Sequence, residues 1–63
     1  MAAFTSFAAA EARAKAKMAD GTWVIAFAQE GYDGTIGIYA QRPMSLVNQA
    51  YGGWVTITDD AGV

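Results

Sequence analysis

The chain has 63 residues and a net charge of −2, with no cysteine or histidine. Disulfides, thiolate or imidazole zinc sites and haem attachment are therefore excluded as supports for a fold that buries only roughly 60% of its unfolded surface. A hydrophobic content of 54% argues against intrinsic disorder, so the expected supports are an efficient core or association.

Residues 8 to 21, AAAEARAKAKMADG, alternate charge with alanine as a strand would, yet Ala, Glu, Lys, Arg and Met are the strongest helix formers. Thr5 or Ser6 offers an N-cap and Asp20-Gly21 a stop, which predicts a helix over 6–19. At about 100° per residue, Phe7, Ala10, Ala14 and Met18 share one side. Ala8, Ala9, Ala12, Ala16 and Ala19 share another, and the charges lie between. Glu11 and Lys15 stand in the favourable order for a surface pair. The Phe/Met side is the expected core face. The smooth side, Ala8, Ala12 and Ala16 with Arg13 and Lys17 beside it, is a candidate partner-binding surface.

TWVIAFAQ (22–29) and TIGIYAQ (35–41) both alternate with a period of two, and EGYDG between them is a turn cluster. A hairpin follows. A four-residue loop, Gly31 to Gly34, pairs Glu30 with Thr35 and puts Trp23, Ile25, Phe27, Ile36, Ile38 and Ala40 on one face. A five-residue loop would distribute the large residues over both faces. The one-sided core favours the first register. Gly31 and Gly34 are expected at positive φ, and Gly37 beneath a large neighbour.

RPMSLVNQAYGG reads as a short helix over 43–51, with Pro43 in its first turn and Gly52-Gly53 ending it. WVTIT (54–58) is a third strand, Val55 and Ile57 inward, Trp54, Thr56 and Thr58 outward. The expectation is a single small α+β domain spanning 1–63, order α-β-β-α-β, in two layers, with a three-stranded antiparallel sheet and both helices on one face. The other sheet face would carry Val24, Ala26, Ala28, Tyr39 and Trp54, apolar and aromatic where an open face is normally polar. It is the second candidate partner-binding surface.

Catalytic chemistry has little to draw on. General acid–base or nucleophilic catalysis needs a group titrating near neutrality or a base beside the nucleophile, and only carboxylates, Ser6, Ser45 and a few lysines remain. No catalytic residue, metal ligand or cofactor is expected. Asp59-Asp60 with Glu30 or Asp33 offers oxygen ligands for a hard cation, but without the ligand spacing of a metal loop. Gly31, Gly34 and Gly37 lie in a hairpin and not between a strand and a helix, so they do not form a phosphate-cradling loop.

Residues 1–17 carry three bases and one acid, whereas 18–63 carry one base and five acids. Four bases make a thin stripe for nucleic acid, which is disfavoured as a partner. The run 21–29 is too short to span a bilayer. The N-terminus places its charges after its apolar part, the reverse of a secretory signal. Removing 1–17 as a transit peptide would leave a remnant of about 45 residues, near the lower limit for unaided folding. The expected setting is the cytoplasm, or a host cytoplasm if the protein is viral.

These features point to a non-enzymatic protein-interaction domain whose partner is another protein, with a homo-oligomer also expected. Very small cysteine-free chains of this kind are common among phage and mobile-element accessory proteins, including inhibitors that block a host protein. A minor virion component, a self-assembling oligomer and a weak nucleic-acid binder stand as alternatives.

Overall fold

The computed structural model describes residues 3–43 and 52–60. Helix α1 runs Phe7–Ala19, followed by strands β1 Ile25–Glu30, β2 Ile36–Gln41 and β3 Trp54–Ile57. The strands form one antiparallel sheet in the order β1-β2-β3, and α1 packs on one side of it: a small α+β fold. The short helix expected over 43–51 lies outside the described residues but for Pro43, which belongs to no helix or strand.

Helix α1 is set by its caps. Ser6 Oγ accepts from Ala9 N–H at 3.0 Å, the N-cap bond that satisfies one of the first turn's free donors. At the other end Asp20 N–H reaches Ala16 O, Gly21 N–H reaches Met18 O, and Gly21 takes φ 83°. That left-handed turn suits glycine and ends the helix. Of the expected core side, Ala10 and Ala14 are buried and Met18 packs against the core, whereas Phe7 stays 44% exposed at the helix start.

The β1–β2 register differs from the expected one. Glu30 pairs with Ile36, not Thr35, and the ladder continues through Ala28↔Ile38, Phe27↔Tyr39 and Ala26↔Ala40. The physical reason lies in the loop. Gly34 N–H donates to Gly31 O, Gly34 sits at φ 84°, and Gly31 N–H donates to Thr35 O at 2.8 Å. The register is thus that of the five-residue connection, Gly31 to Thr35, set aside above. Gly31 and Thr35 pair within it and leave a three-residue loop, Tyr32 to Gly34, in which a tight turn is followed by a left-handed glycine. Asp33 Oδ1 accepts from Thr35 N–H and fixes the return. Gly31 is not at positive φ, contrary to expectation.

The slip inverts β1. Ala26 and Ala28 turn toward α1, while Ile25 and Phe27 turn away and are 46% and 48% exposed. Trp23 is nevertheless buried, as expected. Val24 N–H donates to Gln41 O although Gln41's register partner is Ile25. Two residues thus oppose one, a bulge that shifts the alternation by a residue and lets Trp23 and Ala26 both face inward. In β2 and β3 the expected faces hold: Ile36, Ile38, Ala40, Val55 and Ile57 pack in or against the core.

The core is a layer of small side chains. Ala10 and Ala14 of α1 and Ala26 and Ala40 of the sheet lie with the fully buried Ile38, between Phe4 and Trp23. Alanines on both sides let the helix backbone approach the sheet closely. They leave no space there for Phe27, Tyr39 or Trp54.

Candidate functional site: the aromatic face of the sheet

Because β1 is inverted, three rings meet on the face away from α1, one from each strand. Tyr39 and Trp54 stack with centroids 4.6 Å apart and planes within 10°. Phe27 meets Tyr39 edge-on at 5.8 Å and Trp54 at 6.4 Å. The sheet builds this triangle directly. Phe27 is opposite Tyr39 across β1–β2, and Trp54, the partner of Gln41, is diagonal to Tyr39 across β2–β3. Ile25 and Val24 extend the patch at its β1 end, the latter 62% exposed.

Of the expected sheet-face set, Tyr39 and Trp54 form this cluster and Val24 borders it. Ala26 and Ala28 do not belong: they lie under α1, Ala26 buried and Ala28 half-buried. Phe27 and Ile25, expected in the core, take their place. The DG pair of the loop was the signal for this register, since it marks a left-handed glycine before the returning strand.

Gly37 shows how close the strands lie. A Cβ there would stand 2.9 Å from Ile57 O and 3.3 Å from the Thr58 methyl. The expected close neighbour exists, but it is the backbone of β3 and not a large side chain. No residue but glycine fits without a shift.

On the outer side of α1, Ala8, Ala12 and Ala16 are exposed and Arg13 and Lys17 half-buried. Ala12, Ala16 and Arg13 line a shallow groove with Phe4 and Asp60. Arg13 Nε donates to Asp60 Oδ1 at 2.9 Å, and Ala3 pairs with Asp59 in an isolated antiparallel bridge. Both ends of the described chain are thereby tied beside the helix. Lys15 stands 3.8 Å from Glu11, as the spacing predicts. Two of the three bases of α1 therefore face an acid.

Two exposed carboxylates are shifted, both downward. The Thr22 hydroxyl and N–H hold Asp20 below its ordinary value, and the Thr35 N–H and hydroxyl do the same for Asp33. Both act as turn fasteners. Among the described residues, no group of three or more acids comes together as a cation site, and no helix is long and apolar enough to cross a membrane. Asp60, a candidate cation ligand, is held by Arg13, and Asp33 by its own loop.

Compared with protein-family models, curated proteins and solved structures, the chain matches none.

Proposed function

We propose that the protein is a non-enzymatic interaction domain of the cytoplasm that docks another protein on the face formed by Phe27, Tyr39 and Trp54. The observation that carries this reading is the three-ring cluster on a sheet face with no charged side chain among the face's strand residues. Tyr and Trp dominate interface hot spots because they offer large, rigid, partly apolar surface at low entropic cost. The rings are already stacked, so little order is lost on docking. Blocking a working surface of a host protein is the role that suits a chain of this size. The outer face of α1 is the lesser surface, since its groove is lined largely by alanine and its Arg13 is already engaged by Asp60.

Nucleic-acid binding by base stacking is the weaker reading. It needs a positive groove, and Arg13 and Lys15 stand against Asp60 and Glu11. The test uses Tyr39→Ser and Trp54→Ser, each first shown by circular dichroism to be folded. A protein retained from the producing cell's lysate by the wild type, identified by mass spectrometry and lost with both variants, supports the reading. Retention of the same protein by both variants contradicts it.

A further inference from the structure

We propose that β1 is a pairing edge for a second copy of this chain, joining two sheets antiparallel across a two-fold axis at Ala28. This goes beyond the aromatic face and does not rest on it, because an edge pairs in the plane of the sheet and leaves both faces free.

The first observation is the hydrogen-bond pattern. Gly31 N–H bonds Thr35 O across the hairpin, so the bonded positions of the β1–β2 ladder fall on odd-numbered residues of β1. Ala26, Ala28 and Glu30 then direct N–H and C=O away from β2. Ala26 N–H confirms that direction: it finds only the weak acceptor Met18 Sδ, at 3.3 Å. No other strand among the described residues lies beyond β1. Such an edge demands an extended backbone as its occupant.

The second observation is what the edge lacks. Strands that must stay unpaired carry proline, lysine or an inward charge. IAFAQE carries none, and its one charge, Glu30, ends the strand. The opposite edge belongs to the shorter β3, beyond whose end Ala3 bridges Asp59.

The third observation selects a second copy over any other strand. Along the β1 edge, α1 and the sheet form a groove lined by Phe7, Glu11, Lys15, Met18 and Phe27. Met18 lies at Ala26. A helix rises about 1.5 Å per residue against about 3.3 Å in a strand, so with α1 running back along β1, Ala28 falls level with about residue 14. That is close to midway between Glu11 and Lys15. A two-fold axis at Ala28 therefore brings Glu11 of each copy toward Lys15 of the other. It pairs Ala28 with Ala28 and Ala26 with Glu30, the register in which every outward group finds a partner, about six hydrogen bonds in all. The two Glu30 carboxylates lie at opposite ends of the seam and do not repel. Both aromatic clusters end on the same side of the merged sheet.

The test is sedimentation equilibrium of the full chain, made by chemical synthesis so that Ala28 can carry an N-methyl group. That group removes the outward donor and leaves the β1–β2 ladder untouched. The expected result is a dimer for the parent at high micromolar concentration and a monomer with unchanged circular dichroism for the N-methylated chain. Should that chain not fold, the charges decide. Glu11→Lys alone and Lys15→Glu alone each weaken the dimer by about tenfold, and the double exchange restores it. A monomeric parent overturns the proposal. So does a dimer indifferent to N-methylation, or, where the charges decide, one indifferent to the single exchanges. None of these outcomes bears on the retention test of the Tyr39 and Trp54 variants, so the two readings fail separately.

Discussion

The two faces of the sheet are made of side chains of different size, and each size suits its neighbour. Toward α1 the sheet offers Ala26, Ala28 and Ala40 around Ile38, and the helix answers with Ala10 and Ala14. Away from it stand Phe27, Tyr39 and Trp54, leaning on one another. On the first face stability comes from small side chains shut away from water: each methyl contributes little area, about 0.8 kcal/mol per buried carbon, but Ala10, Ile38 and Ala40 are wholly buried. On the second, much apolar area is left half in water. The difference teaches that side-chain size, and not hydrophobicity alone, decides which apolar residues a thin domain hides.

That contrast can be broken most severely from the alanine side. Ala10, wholly buried, has no room to grow, and Ala10→Leu is expected to cost about 3 kcal/mol, read from chemical denaturation. Gly37→Ala comes next, at about 1–3 kcal/mol, because the new methyl meets the Ile57 carbonyl, which cannot rotate away. The aromatic side is expected to yield less. Trp54→Ala should cost about 1 kcal/mol, mainly its stacking on Tyr39, while abolishing partner retention. A Trp54→Ala loss as large as that of Ala10→Leu would mean that the rings are a second core and not a docking face.

Acid is expected to act on the turns alike for both faces. The folded-state pKa values of Asp20 and Asp33 lie below their unfolded ones, so both groups stabilise the fold above about pH 4. That stabilisation is lost as the pH falls through the depressed folded values. The thermal midpoint should therefore drop between neutral pH and acid, and Asp33→Asn should drop less. The smallest effect belongs to Arg13→Ala, about 0.5 kcal/mol, since Arg13 and Asp60 are both more than one-third exposed.

Local features were the legible ones. The helix was readable from its residue types, its Ser6 cap and its Gly21 stop, because each acts within a few residues. The inward faces of β2 and β3 were readable from alternation. The register of β1 was not, because two devices act against simple alternation: the three-residue loop closed by Gly34, and the bulge of Val24 and Ile25 opposite Gln41. Favouring the register that buries most large residues assumes a core deep enough to take them. A helix faced with Ala10 and Ala14 makes a shallow one. Tyr39 and Trp54 were placed on the open face from their own strands, but Phe27 could join them only once the register of β1 was known.

The register is therefore the quantity to measure, and two-dimensional nuclear Overhauser spectroscopy reads it directly. Non-hydrogen-bonded partners in an antiparallel ladder bring their Hα protons close. Strong Hα–Hα cross-peaks between Ala26 and Ala40 and between Ala28 and Ile38 are expected, with contacts between the rings of Phe27 and Tyr39. Cross-peaks that instead join Phe27 to Ile38 and Ile25 to Ala40 would return Phe27 to the helix side and contradict the account.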